Sequence, residues 1–304
     1  MIEIKHLKTI ATLKDSGSLT ATAITLHMTQ SALSHQLKDL EKKLGSPVFL
    51  RKTNPIKFTP EGDVLLGLAE KVLPLIQEAQ SELSELKQES GGRLHMALEC
   101  HSCFQWLMPS IKEYQTQWPE VTLDLASGFG FDPLSALMTG DLDLVITSDI
   151  QPRSYIHYEP LFDFEIKLIT SPEHPLSQKR YIEPDDLANS LMLSYPVHKQ
   201  RLDIVKHFMQ PKGVEPKQWK QADNTLVMIQ MVSADLGVAS LPNWAIDEFM
   251  KQGMISAMPL GKDGLWRRLF AAVRVSEKNK PFIQAFFSTA RTRCKQHLTG
   301  IKMP

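Results

Sequence analysis

No stretch of this 304-residue chain approaches the roughly 20 consecutive apolar residues that a membrane-spanning helix needs. The N-terminus, MIEIKHLKTI, carries charges too early and too often for a signal peptide. Cysteine is scarce: Cys100, Cys103 and Cys294 form an odd, low count that argues against a disulfide scaffold and suits a reducing cytoplasm. The motifs of several enzyme classes are also missing. There is no G-x-S-x-G, no G-x-x-x-x-G-K-[ST] and no H-E-x-x-H, and the glycines of GFGFDP lack dinucleotide spacing. The expectation is a cytoplasmic, non-membrane protein that is not an enzyme and needs no cofactor.

Net charge is absent too, because 34 Lys and Arg balance 34 Asp and Glu. The charges are unevenly spread. Residues 1–60 hold nine basic side chains against four acidic ones, a net of +5, which leaves −5 for the rest. A basic head on an acidic body points to a polyanion at one end. The length allows two or three domains.

Three short helices fit the head. Leu7, Ile10 and Leu13 mark the first, which stops near Gly17. Ser18 caps a second that runs to about Leu26, and Thr29 caps a third that ends at Gly45. Leu33, Leu37, Leu40 and Leu44 recur at steps of 4, 3 and 4, so one stripe of the third helix is buried. Its other phase carries Ser31, His35, Lys38 and Lys42, with Gln30 and Ser34 near the first turn. Amide and hydroxyl groups there suit base edges in the major groove, and the lysines suit phosphates. PVFLRKTNPIKFTPEG then reads as a hairpin wing that presents Arg51, Lys52 and Lys57 to the flanking backbone. The bland alternative is a helical hairpin with a solvated charged face.

From Glu61 to about Glu89 only Pro74 interrupts a helical pattern. Leu65, Leu68, Val72, Ile76, Ala79, Leu83 and Leu86 fall at heptad-like steps with one stutter. A helix of about 40 Å cannot bury such a stripe against itself, so it reads as a dimer seam. The alternative is a helix packed on its own domain. Pro74 removes one hydrogen bond and bends the helix, and ESGGR (89–93) reads as a hinge. After Arg93 short apolar runs alternate with helical ones, which predicts α/β architecture with mostly parallel sheets.

GSLTATAITLHMTQSALSHQLKDLEKKLGSPVFLRK…FTPEG resembles the N-terminal domain of LysR-type transcriptional regulators over the first sixty or so residues. Ser31 stands where the family usually has proline and His35 where it has arginine, so the DNA site read should differ from that of a typical member. The resemblance implies an α/β fold with an N-terminal winged helix-turn-helix (1–60), a long linker helix (61–90) and an effector domain (91–304). That domain is expected to be built like a periplasmic binding protein, with two subdomains, 93–148 plus 266–304 and 149–265, flanking a cleft. It also implies an operator of double-stranded DNA, a self-assembled dimer that pairs into a tetramer, and RNA polymerase as a further partner.

Ligands of open α/β sheets sit beyond the carboxyl ends of strands. This selects His101, Ser102 and Cys103 in ECHSCF, Pro196 and Arg201 in YPVHKQR, Asn224 and Thr225 in ADNTL, and Asp149 in TSD. Ser102, Cys103 and Thr225 are expected at helix N-termini that offer N–H groups to a carboxylate. Arg201 is expected to pair with the same carboxylate and Asp149 with an ammonium, a set suited to a small amino acid. TQSALSHQ, ECHSC, TSDIQPRS and ADNTL look similar to the homocysteine-responsive branch of the family, which regulates methionine biosynthesis. This resemblance implies homocysteine as co-inducer. Cys100-His101-Ser102-Cys103 has redox spacing at a strand-to-helix turn, so a thiol-redox sensor or small oxidoreductase is the alternative function. A metal site there lacks an obvious fourth ligand.

Overall fold

A computed structural model of the chain describes residues 2–26, 28–50, 53, 56–86, 92–99, 102–126 and 133–304. Arg51, Lys52, Cys100, His101 and most of the 89–93 hinge lie outside the described residues.

The head contains α1 (Ile4–Ser16), α2 (Leu19–Thr25) and α3 (Gln30–Leu44), then the short strands β1 (Phe49–Leu50) and β2 (Lys57–Phe58). The caps are those the sequence calls for. Ser18 Oγ accepts from the Ala21 N–H and Thr29 Oγ1 from the Ala32 N–H, both at 3.1 Å. Each such bond satisfies one orphan donor and stabilises its helix by about 1 kcal/mol. Gly45 ends α3 at φ 75°, in the left-handed region that glycine adopts without a Cβ clash. Leu33, Leu37 and Leu40 enter a core with Ile10, Leu13, Ala23, Val48 and Phe49. Leu44, expected in the same stripe, is 37% exposed, because it is the last helical residue and lies beyond this core.

The wing is antiparallel, with Phe49 opposite Phe58 and Leu50 opposite Lys57. Thr53 fastens its turn: Oγ1 donates to the Leu50 carbonyl at 2.9 Å and accepts from the Lys57 N–H at 2.9 Å. The long helix α4 (Pro60–Leu86) starts against the wing, and a Cβ on Gly62 would collide with the Val48 carbonyl.

The first half of α4 is buried within its own chain. Leu65, Ala69 and Leu73 are 3%, 0% and 2% exposed, and Leu68 and Val72 pack against the same apolar cluster. Val72 therefore does not share an open seam with Leu83, which is 59% exposed. Of the expected stripe, Leu65, Leu68 and Val72 are covered within the chain, where α1 and α6 lie against α4, whereas Ala79 and Leu83 are exposed.

The remaining elements are β3 (Arg93–Leu98), α5 (Phe104–Gln117), β4 (Thr122–Leu125), α6 (Pro133–Thr139), β5 (Leu144–Thr147), β6 (Ile156–Thr170), β7 (Leu191–Ser194), β8 (Gln218–Gln221), α7 (Thr225–Ser233), β9 (Val238–Pro242), α8 (Asn243–Lys251), β10 (Ser256–Pro259), β11 (Leu265–Arg274) and α9 (Pro281–His297). The chain forms two compact units. The first takes residues 1–99, 118–159 and 271–284, and the second 100–117, 160–270 and 285–304. The resemblance implies subdomain boundaries at 148/149 and 265/266; the two compact units divide at 159/160 and 270/271, within β6 and β11. The sequence also assigns α5 and α9 to the first subdomain, but α5 and most of α9 belong to the second unit. Trp106 of α5 meets Phe162 edge-on at 5.7 Å and Tyr114 meets Phe286 at 5.6 Å, so their aromatic partners lie there.

In the first unit β3 pairs in parallel with β4 and β5. In the second, β7 pairs in parallel with β8 and β9, while β6 runs antiparallel to β9 and β10. The run RLDIVKHFMQ (201–210) forms a single π-helical turn at Val205–Met209 followed by a 3-10 turn. Pro211 lacks the N–H that a continuing helix needs.

A charged network is buried in the first unit. Asp143, 6% exposed, accepts from Arg93 Nε at 2.8 Å, Arg274 Nη2 at 2.8 Å and the His95 N–H at 3.0 Å. Arg274 also donates to Glu277 at 2.7 Å. Burial pushes the Asp143 carboxyl up, but Arg93, Arg274 and the His95 N–H outweigh it and hold it below the usual carboxylate range. A carboxyl depressed in the folded state stabilises the fold above its unfolded value, near pH ~4, and loses that contribution as pH falls through its folded value. Calorimetric melting temperatures should therefore drop steeply below pH ~4, and Asp143→Asn should flatten that drop while lowering stability at neutral pH. An unchanged acid profile in the variant would remove Asp143 from the acid transition.

Candidate functional site

The face of α3 opposite its apolar stripe is open. Gln30, Ser31 and Lys38 are exposed, Ser34 is half-buried, and the His35 side chain is 78% exposed. His35 Nδ1 lies 3.2 Å from Asp39 Oδ2, one turn along. The helix is oriented from behind. Gln36 Nε2 donates to Thr9 Oγ1 at 2.8 Å and to the Lys5 carbonyl at 3.2 Å, which ties α3 to α1. At the far end Lys43 meets Glu3 at 3.1 Å, and Lys5 and Lys43 together hold the Glu3 carboxyl down at about 2. Gln30, Ser31, Ser34, His35 and Lys38 are thus brought onto one outward surface, the geometry required of a helix that enters the major groove. Arg51 and Lys52 lie outside the described residues.

The second unit gathers Ser102, Tyr195 and Thr225. Tyr195 Oη is 2.8 Å from Thr225 Oγ1, and Ser102 Oγ is 3.3 Å from each. Three loops build this triangle: the turn before α5, the carboxyl end of β7 and the start of α7. Asn224 caps α7, its Oδ1 accepting from the Val227 N–H at 3.0 Å, so its side chain is engaged in holding Thr225 at the first helical position. Trp244 Nε1 donates to the Ser102 carbonyl at 3.3 Å, and its ring packs edge-on to Phe162 and Phe164 at 5.3 and 4.6 Å. An aromatic group thereby fixes the backbone that carries Ser102.

Pro196 and Arg201 follow Tyr195, half-buried, with Arg201 closing a 3-10 turn. Cys103, expected to offer its backbone N–H at the start of α5, has its side chain buried at 0% exposure. His101 lies outside the described residues. Tyr195 is the residue that sequence reasoning missed, although its place at the carboxyl end of a parallel strand was a usable signal. Asp149 belongs to the first unit. Its N–H donates to Thr147 Oγ1 at 3.0 Å, and Thr147 also donates to Glu99. A cavity of about 760 Å³ in the second unit is lined by residues 197–200, Val205, Gln210, residues 213–215 and Gln221, none of them an expected effector residue.

The sequence divides along the same lines when it is set beside known proteins. Residues 4–63 match the bacterial regulatory helix-turn-helix protein of the lysR family, and residues 87–295 match the LysR substrate binding domain. The chain belongs to the LysR family: it is a transcriptional regulator that binds DNA through its helix-turn-helix and a small-molecule effector through its substrate-binding domain, and it is not an enzyme. It is 51% identical over 302 residues to the HTH-type transcriptional regulator MetR of Escherichia coli (strain K12), covering 99% of this chain and 94% of that protein. The corresponding regulator of Haemophilus influenzae is 35% identical over 99% of this chain and 97% of its own length. Among solved structures, the regulatory domain of MetR, a LysR family regulator from N. meningitidis, superposes with a TM-score of 0.67 at 34% identity, covering 71% of this chain and 99% of that one. Full-length BenM, at 21% identity and a TM-score of 0.58 over 98% of this chain and 99% of its own, shares the fold.

The thiol-redox alternative needs Cys100, outside the described residues, and Cys103, which is fully buried. Cys294 is also buried, and burial pushes its thiol up to about 12. Thiolate, not thiol, is the reactive form. Iodoacetamide at neutral pH should therefore leave Cys103 and Cys294 unmodified in the native chain and modify both after unfolding, as read by peptide mass mapping. Rapid native alkylation of Cys103 would return the redox alternative. Among the described residues no group of three His, Cys, Asp or Glu side chains is placed to hold a metal ion, and no helix is long and apolar enough to cross a membrane.

Proposed function

We propose that this regulator acts on methionine-biosynthesis genes in response to homocysteine, whose carboxylate binds at the Ser102–Tyr195–Thr225 triangle. The hydroxyl triangle is the observation that carries the ligand reading. Three hydroxyl donors within 3.3 Å of one another, at the head of α7, form a compact receptor for a small anion. The α7 N-terminus adds free N–H groups and a positive dipole end. The 51% identity to MetR over nearly the whole chain, together with the resemblance carried by ECHSC and ADNTL, supports an amino-acid effector over a sugar or an aromatic acid.

Calorimetric titration of the full chain with homocysteine, methionine and cysteine tests the reading. Homocysteine should bind, and Tyr195→Phe or Thr225→Val should weaken it by about 1.5–3 kcal/mol, the worth of a hydrogen bond to a charged group. Operator affinity without effector should be unchanged in both variants. Tight binding of a sugar or aromatic acid, with no heat from homocysteine, would sink the proposal.

On the DNA side we propose an imperfect inverted repeat read by a dimer. The half of α4 after Pro74 supplies the seam, where Leu75 and Leu83 are 63% and 59% exposed. Gln30→Ala and His35→Ala should change base preference, costing about 1–3 kcal/mol where a bidentate contact is lost. Lys38→Gln should instead weaken all sequences alike and lower the salt slope by about one. Binding to a randomised operator at several salt concentrations separates the two classes. A Gln30→Ala variant with the parent's preference profile would place base reading elsewhere.

A further inference from the structure

The DNA-binding head is held to the effector part of the first unit by a buried polar contact. Arg153, just ahead of β6, grips Asp15 at the end of α1 with both arms of its guanidinium: Nη2 donates to Oδ1 at 2.6 Å and Nη1 to Oδ2 at 3.1 Å. Ser135 of α6 donates to the same carboxylate. Arg153 is itself oriented by Tyr155 Oη at 2.7 Å and Gln151 Oε1 at 3.0 Å. The side chains of Asp15 and Arg153 are only 6% and 19% exposed. The surrounding packing is apolar, with Leu7 and Ala11 of α1 in one cluster with Leu134 and Leu137 of α6.

Two properties make this more than a staple. First, the docked head keeps its reading face open, because Gln30, Ser31, His35 and Lys38 are not covered. The contact therefore does not mask DNA binding. Secondly, Arg153 belongs to a short hydrogen-bonded segment rather than a loose loop. Gln151 N–H donates to Tyr158 Oη at 3.2 Å, Tyr158 Oη donates back to the Gln151 carbonyl at 2.8 Å, and Asp149 N–H is held by Thr147. That segment leads directly into β6, whose later residues belong to the second unit. A bidentate Arg–carboxylate pair fixes orientation as well as distance. Breaking one side leaves a buried charge, so the contact is either made or fully released.

We propose that Arg153 is a coupling residue: through Asp15 it makes the head turn with the 149–158 segment, so that operator binding and the state of the effector domain are linked at this contact. Coupling between two sites is reciprocal. Operator DNA bound at α3 should thus alter the 149–158 segment even when no effector is present.

Hydrogen exchange on the full chain tests this, comparing the parent with an Asp15→Asn/Arg153→Gln double variant that leaves no buried charge unpaired. In the parent, operator DNA should change exchange in the 149–158 peptide. In the double variant that response should vanish, and free-state exchange in α1 should rise by about tenfold or more. Ser135→Ala, which removes one donor and keeps the ion pair, should show a reduced response and serves if the double variant does not fold. A gel-shift series with homocysteine adds an arm that rests on the effector proposed above: the variant should bind operator but lose the effector's influence. Unchanged α1 exchange in the variant would overturn the docking. Faster α1 exchange with a preserved response at 149–158 would overturn the coupling. Calorimetry showing no homocysteine binding to the parent would count against the effector reading alone, since the DNA-driven exchange arm uses no effector.

Discussion

Leu7 and Ala11 of α1, Ala69 and Leu73 of α4, and Leu134, Leu137 and Met138 of α6 are buried in one cluster with Ala97, Val145 and Ala272 of the neighbouring strands. Neither α1 nor α6 could persist alone at its length. The 13 residues of α1 and the seven of α6 fall at or below the roughly 12–15 residues at which even favourable sequences become marginal in water. Burial supplies what propensity lacks, at about 1.5–3 kcal/mol for each fully covered large aliphatic side chain. Head, linker and the β3–β5 sheet therefore share a single apolar core, and whatever moves α6 must either carry α1 with it or open that core.

Pro74 divides the linker accordingly. Before it, Leu65, Ala69 and Leu73 face the chain's own core, and after it Leu75 and Leu83 stand open. Proline removes a backbone hydrogen bond and its ring presses on the preceding turn, so a change of face at this point costs little. The apolar period of α4 was plain in the sequence because a period reports that a face is buried. It does not report what buries it, and so Val72 and Leu83 looked like equal members of one stripe. The same limit explains α5 and α9. Their helical patterns were legible, but their allegiance depends on the Trp106–Phe162 and Tyr114–Phe286 ring contacts, which no local pattern encodes.

Local chemistry was the most readable part. Ser18, Thr29 and Gly45 act within one helical turn, so the caps and the limits of α2 and α3 followed from residue type alone. The outward set on α3 followed from its inward leucines, since fixing one face of a helix fixes the other. β8 carries no such local signal. QWKQ has no apolar run and is strand only because β7 offers it a parallel partner. Tyr195 was missed because its meaning lies in partners 93 and 30 residues away in sequence, Ser102 and Thr225. Both partners were found by asking which loops end strands or begin helices. The same question applied to the last residue before Pro196 would have found the third.

On the proposed reading, the hydroxyls of the triangle and the start of α7 would together favour an anionic end of the ligand. Each hydroxyl has one donor and two acceptor lone pairs, and only its hydrogen needs to rotate to change partner. Without ligand, Ser102, Tyr195 and Thr225 can satisfy one another, so none is left as a desolvated orphan. When a carboxylate arrives, the hydrogens can swing toward it while the oxygens stay where the Asn224 cap and the Trp244 bond to Ser102 hold their backbones. These three hydroxyls are already placed against one another, so the proposed ligand would meet a smaller side-chain ordering cost on binding. An ammonium approaching the same oxygens meets lone pairs but gains nothing from the N–H groups and dipole at the start of α7, which oppose it. In the proposed site the direction in which α7 points would therefore set the polarity of the ligand's end, and the hydroxyls would supply fit rather than sign.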